Sequence, residues 1–191
     1  MEEQDGGALQ RARSGDSSAF RELVERHSRA VFRLAYRMTG NEQDAEDVVQ
    51  ETFLRAWKQI DRYEARSSFS TWLHRIAANC SLDLIRVRKR RDERQEQTTG
   101  DHQGTFATLA APGPAPDRLF YGTEVQRHVG DALGTLTPQE RTAFILRHFE
   151  GLSIEEIGHS LGTGVNATKN SIFRAVQKLR RALEPLVSAA R

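Results

Sequence analysis

Residues Gly151 to Leu183, GLSIEEIGHSLGTGVNATKNSIFRAVQKLRRAL, constrain the fold more than any other stretch. Ser153 and Glu156 have the spacing of a capping box, in which the hydroxyl takes an orphan amide of the first turn and the glutamate reaches back. Ile154, Ile157 and Leu161 then recur at helical spacing. Gly162 and Gly164 bracket Thr163, and glycine ends a helix in a left-handed conformation without strain. A longer helix follows, with Thr168, Ile172, Ala175, Val176, Leu179 and Leu183 on one side. Asn166, Asn170, Arg174, Gln177 and Arg181 lie on the other. Amides and cations are the groups that reach base edges and phosphates in a major groove. A short helix, a glycine turn and a longer polar-faced helix predict a helix-turn-helix. Any two packed helices of an all-α domain could carry the same pattern, so the rest of the chain must decide between them.

Charge along the chain is sorted into blocks. The net charge of the 191 residues is only +2. Yet Asn41 to Phe53 holds Glu42, Asp44, Glu46, Asp47 and Glu51 and no basic residue. Leu84 to Arg94 holds Arg86, Arg88, Lys89, Arg90, Arg91 and Arg94 against Asp92 and Glu93. From Val165 onward Lys169, Arg174, Lys178, Arg180, Arg181 and Arg191 face only Glu184. Such sorting implies two kinds of partner, one basic and one acidic. The single cysteine, Cys80, allows no intramolecular disulfide, which fits a reducing cytoplasm. The acidic N-terminal stretch has no apolar run, so no signal peptide, membrane insertion or membrane span is expected.

In order, residues 1–16 are expected to be a flexible terminus. Asp16 or Ser17 caps a helix to about Thr39, with Phe20, Leu23, Val24, His27, Val31, Leu34, Ala35 and Met38 on its period and Gly40-Asn41 as its stop. The next helix, about Gln43 to Ile60, buries Ala45, Val48, Val49, Thr52, Phe53, Ala56, Trp57 and Ile60. Its remaining surface takes Asp44, Asp47, Gln50, Glu51 and Arg55. That surface is either a merely solvated face or an acidic dock for a basic partner. Asp61 to Ser70 is a polar loop. A third helix, Thr71 to about Arg91, buries Leu73, Ile76, Ala77, Cys80, Leu84 and Val87 and shows Asn79, Asp83, Arg86 and Arg90 on one face, a nucleic-acid surface by composition. Residues 93–118 read as a linker carrying three of the five prolines. Helix Leu119–Leu133 directs Val125, Val129 and Leu133 inward. A second capping box with proline, Thr137-Pro138-Gln139-Glu140, opens a helix that buries Phe144, Ile145 and Phe149.

Catalytic chemistry finds no support. GTGVNATKN lacks the lysine-serine ending of a phosphate loop. His74 and Cys80 fall on different faces of one helix, so no zinc site is expected, and no cofactor or metal is called for. Glu155 and Glu156 are adjacent and diverge, which is poor geometry for paired carboxylates. The chain is expected not to be an enzyme.

Two stretches together resemble a known family. DAEDVVQETFLRAWKQI followed by SSFSTWLHRIAANCSLDLIRVRKRR resembles region 2 of bacterial sigma factors, and LTPQERTAFILRHFEGLSIEEIGHSLGTGVNATKNSIFRAVQKLRRAL resembles their region 4. The linker is too short for a region 3, a layout similar to the extracytoplasmic-function (ECF) group of the sigma-70 family. The resemblance implies an all-α fold of two small helical domains, residues 17–92 and 119–191, joined by the 93–118 linker. It implies that Asp47, Gln50, Glu51 and Arg55 dock on the β′ clamp helices of core RNA polymerase. It implies that Tyr63, Arg66, Ser67, Ser68 and Asn79 hold a flipped −10 base beside Asp83, with Arg86, Arg88, Lys89 and Arg90 on nearby phosphates. Asn166, Thr168, Lys169, Asn170, Ser171 and Arg174 would lie at the −35 element, and region 4 would lean on the β flap. Many relatives have Val-Gly-Thr-Val-Lys-Ser-Arg where this chain has Val165 to Ser171, so Ser171 replaces the usual arginine.

The resemblance further implies a cytoplasmic protein with promoter DNA, core polymerase and an anti-sigma factor as partners. The competing reading is a stand-alone helix-turn-helix regulator with a sensory first domain. The acidic Asp44–Glu51 segment and the absence of a sensor-like pocket signal speak against it.

Overall fold

Asp16 starts the first long helix, its carboxylate accepting from the amides of Ser18 and Ala19 at 2.9 and 3.2 Å. Gly40 ends that helix in the left-handed conformation, φ +71°. The computed structural model describes residues 2–65, 67–96 and 128–189. Among them the helices are α1 (Glu2–Arg13), α2 (Ser17–Thr39), α3 (Glu42–Gln59), α4 (Phe69–Glu96), α5 (residues 128–134), α6 (Pro138–His148), α7 (Ile154–Leu161) and α8 (Val165–Ala189), with a 3-10 turn at Ile60–Arg62. The described residues contain no strand.

Two of these elements differ from the sequence expectation. The stretch expected to be flexible contains a helix, α1, which buries Ala8 and Ala12 against the first half of the chain. Two small alanines let it approach closely despite Gly6 and Gly7. Helix α4 runs on to Glu96, beyond the expected stop near Arg91, because no glycine or proline interrupts it before Gly100. The rest of the expected linker, with the first part of the helix expected from Leu119, lies outside the described residues.

Helices α2, α3 and α4 pack around Leu23, Leu34, Met38, Val48 and Leu73, all essentially inaccessible to water. Full burial of each such side chain favours folding by about 1.5–3 kcal/mol. In the second half, α6, α7 and α8 bury Ile145, Leu146, Ile157, Ala175 and Leu179. Both capping boxes form: Glu140 accepts from the Thr137 amide, and Glu156 from the Ser153 amide, with each hydroxyl accepting in return. Gly162 closes α7 at φ +63°. Gly158 is needed where α7 meets α8: a β-carbon there would stand 2.8 Å from the Thr163 carbonyl oxygen.

The two halves share one apolar core, in which Leu34 and Leu73 join Leu146 and Ile157. Its polar fastenings are specific. The Arg141 guanidinium donates to the carbonyls of Leu133 (3.0 Å) and Met38 (2.9 Å). His74 Nδ1 lies 3.2 Å from Glu150 and Arg37 3.6 Å from it. Arg37 also covers the Phe149 ring at 4.3 Å. Phe149, expected to be buried, is therefore half exposed and capped by a cation.

Candidate nucleic-acid interface

On α3, Asp47, Gln50 and Glu51 are exposed along one face, as their spacing requires. Asp44, expected beside them, is instead 3% exposed and paired with Arg88 of α4. Burial pushes its carboxyl up, and Arg88 opposes that rise. Arg55 is half buried. It donates to Glu51 at 2.6 Å and reaches Asp83 of α4 at 3.3 Å. The acidic face is thus tied to the helix that follows it. Next to Gln50, the side chains of Phe20, Phe53, Leu54 and Trp57 line an apolar groove of about 470 Å³. Trp57, expected in the buried stripe, is 36% exposed there and Leu54 is 55% exposed. Exposed apolar surface flanked by charge is the composition of a protein-binding face.

The loop between the 3-10 turn and α4 is held by its own side chains. The Tyr63 hydroxyl donates to the Ser67 carbonyl at 2.7 Å. Its ring is buried against Phe69 and Trp72, so Tyr63 fixes the loop rather than presenting an open face. The Ser68 hydroxyl accepts from the Thr71 amide at 3.0 Å and caps α4. Ala65 sits at φ +54°, a strained conformation for a side chain bearing a β-carbon. Arg66 lies outside the described residues. Beyond the loop, Asn79, Asp83, Arg86, Arg88, Lys89 and Arg90 are all exposed on α4. Three are already in ion pairs: Arg88 with Asp44, and Asp83 with both Arg86 and Arg55. Their sequence spacing showed the face and could not show the pairing.

On α8, Asn166, Lys169, Asn170 and Arg174 are exposed. Thr168 and Ser171 are not. Thr168 is 0% exposed, and its hydroxyl bonds the Gly164 carbonyl and the Thr163 hydroxyl at 3.1 and 2.9 Å. Ser171 is likewise buried. Both fall on the buried side of α8, and Thr168 lies against Gly158 of α7. Arg174 reaches Glu140 of α6 at 3.3 Å, and Lys178 reaches the same carboxylate at 2.7 Å. Burial opposes ionisation of Glu140, but Lys178 and the Thr137 amide outweigh it and hold the carboxyl low. Cys80 is buried, and that burial pushes its thiol up, the setting of a structural cysteine. Among the described residues no cluster of three or more potential metal ligands occurs, and no helix is long and apolar enough to cross a membrane.

Comparison with known proteins agrees with this geometry. Residues 23–91 match the model of sigma-70 region 2, and residues 127–179 match that of sigma-70 region 4. The ECF RNA polymerase sigma factor SigW of Bacillus subtilis is 32% identical over 179 residues, covering 93% of this chain and 96% of that protein. The ECF RNA polymerase sigma factor SigE of Mycolicibacterium smegmatis is 38% identical over 170 residues. The match covers 87% of this chain but 63% of the longer SigE. The solved structure of the sigma factor RpoE in complex with the anti-sigma factor NepR, from Bartonella quintana, superposes with a TM-score of 0.67 at 25% identity. That likeness covers 86% of this chain and 96% of RpoE.

Proposed function

The chain belongs to the ECF group of the sigma-70 family, and from that premise we propose that it binds core RNA polymerase, brings it to specific promoters and helps open the −10 region. The observation that carries the reading is the α3 face, where exposed Asp47, Gln50 and Glu51 border the apolar groove at Leu54 and Trp57. An anionic row beside an apolar groove fits a basic, amphipathic partner helix, the chemistry of the β′ clamp helices. Arg55 orients Glu51 for that contact. The Tyr63–Ser68 loop receives a flipped non-template base, and Arg86, Lys89 and Arg90 hold the neighbouring phosphates. Unstacking a base costs a few kcal/mol, which contacts in the loop offset. Asn166, Lys169, Asn170 and Arg174 face the −35 element, and region 4 leans on the β flap.

The family's members are initiation factors rather than catalysts, and this chain acts through the polymerase active site. It works in the cytoplasm, where polymerase and promoters are. An anti-sigma factor, of the kind seated on RpoE in its solved complex, holds it inactive.

Run-off transcription with bacterial core polymerase on a pool of upstream sequences from the same genome tests the reading. Starts that appear only when the protein is added are expected. No transcript, together with no co-migration with core polymerase, would overturn the proposal in favour of a stand-alone regulator.

A further inference from the structure

Helix α1 closes one side of a cavity of about 310 Å³ beneath the loop that precedes α4. Asp5 and Leu9 of α1 and His27 of α2 line that side, and Tyr63, Ser67 and Ser68 line the loop side. The volume falls at the small end of ligand pockets, room for one flat ring system. The apolar lining is aromatic: Phe69 packs edge-on against both His27 and Tyr63, with ring centroids 5.3 and 5.7 Å apart.

The polar feature is Asp5. It is 5% exposed, and the His27 ring holds one carboxylate oxygen at 2.9 Å while Arg26 holds the other at 3.2 Å. A buried carboxylate is expensive without such partners. With them it is fixed in position, and each oxygen keeps a lone pair beyond the one its partner uses. The same carboxylate gives the buried His27 ring its partner, while Ala8 and Ala12 supply the apolar contact of α1 with the core.

We propose that α1 is part of the promoter-reading site. Asp5, positioned by His27 and Arg26, accepts a hydrogen bond from an amino group at C4 of a flipped −10 pyrimidine or C6 of a flipped −10 purine. A carboxylate offers only acceptors. At that ring position it favours cytosine and adenine, which carry N–H there, over thymine and guanine, which carry a carbonyl there. The inference rests on the sigma reading of the loop and adds to it a residue from the N-terminal helix and a base class.

The test uses holoenzyme reconstituted from core polymerase and the full chain. Transcripts are sequenced from a promoter library randomised across the −10 element. Cytosine or adenine is expected to be favoured about tenfold over thymine and guanine at one position, the worth of one good base contact. Asp5→Asn, whose amide can both donate and accept, should reduce that preference to about twofold or less. It should leave the other positions and the −35 preference unchanged. A second measurement needs no variant. Wild-type holoenzyme on a template carrying 2-pyrimidinone (cytosine without its amino group) or unsubstituted purine at that position should lose about tenfold in output. The proposal is overturned by the absence of any amino-base preference, by its persistence in Asp5→Asn, or by indifference to the analogue. No promoter-specific transcript from wild-type holoenzyme would be a different result, sinking the sigma reading itself.

Discussion

Arg141 of α6 donates to the carbonyl oxygen of Met38, 103 residues away in the chain, at 2.9 Å. Met38 belongs to the last turn of α2, whose carbonyls have no partner within the helix. The same guanidinium donates to Leu133 in the last turn of α5. One buried cation therefore satisfies the C-terminal ends of two helices, one from each half, where the helix dipole also favours positive charge. The junction between the two halves is a built contact.

Replacing Arg141 by Met keeps the length and removes the donors. The Leu133 carbonyl keeps the Leu136 amide at 3.2 Å, so the Met38 carbonyl is the one that loses its donor, at a cost of roughly 1–3 kcal/mol. Denaturant unfolding should show a loss of about 1–3 kcal/mol, and small-angle scattering should show a larger radius of gyration as the halves separate. An unchanged radius would mean that the shared apolar core alone keeps them together.

His74 makes the junction sensitive to acid. Burial lowers its pKa from 6.5 to about 4, with His27 and Arg33 adding to the effect. Glu150 faces it from across the junction, and Arg37 holds the other oxygen of the same carboxylate. Between pH 6.5 and about 4 the unfolded chain binds the proton that the folded chain refuses. The stability owed to neutral His74 is complete above pH 6.5 and declines as pH falls, by at most about 1.4 kcal/mol per unit. Burial raises the Glu150 carboxyl, which works in the opposite sense. Denaturation of wild type and His74→Gln across this range should show a steeper acid-side decline in wild type than in the variant, which keeps the contribution of carboxyls held low such as Glu140.

Thr168 and Asn170 are close in sequence and opposite in role. Thr168→Val removes two buried hydroxyl bonds and should cost roughly 1–2 kcal/mol in thermal unfolding. The −35 preference of the reconstituted holoenzyme should be unchanged. Asn170→Ala should leave stability within about 0.5 kcal/mol and weaken base discrimination at one −35 position. A shift in −35 preference caused by Thr168→Val would contradict its inward placement.

Gly158→Ala sets two effects against each other. Alanine favours a helix by about 1 kcal/mol over glycine. The added carbon, however, would stand 2.8 Å from a backbone oxygen that cannot move without shifting the α7–α8 turn. Overpacking of this kind costs about 1–3 kcal/mol. Melting temperature should fall, and −35 binding should fall with it.

Asp47→Lys with Glu51→Lys reverses the exposed row on α3. Both side chains face solvent, so stability should change by no more than about 0.5 kcal/mol each. Affinity for core polymerase, measured by fluorescence titration, should drop by roughly tenfold or more at low salt, with a weakened salt dependence. Full affinity in the double variant would remove α3 from the interface.

Much of the fold was legible because it is written in local rules. Asp16, Thr137, Ser153, Gly40 and Gly162 mark helix ends through groups that bond within a few residues of themselves. The apolar periods of α2 and α8 report which side is buried, whatever buries it. The site was legible only in outline. Spacing placed Asp44, Asp47 and Glu51 on the polar side of one helix alike, yet only a neighbouring helix makes Asp44 a buried partner of Arg88. Thr168 fitted both the apolar stripe and the reading face, and its two hydroxyl bonds decide for the stripe. Phe149 fitted a core position until Arg37 arrived from α2.

What the sequence determined by itself is the set of amphipathic helices, their caps, and the sorting of acidic and basic charge between them, because these depend on residues a turn or two apart. Tertiary structure decided which charges are spent on other side chains, that α1 folds back to bring Asp5 onto His27, and how the halves meet through Arg141 and Met38. Those outcomes depend on contacts across tens of residues, where hydrogen-bond geometry and exclusion of water select among arrangements that helical periodicity leaves equal.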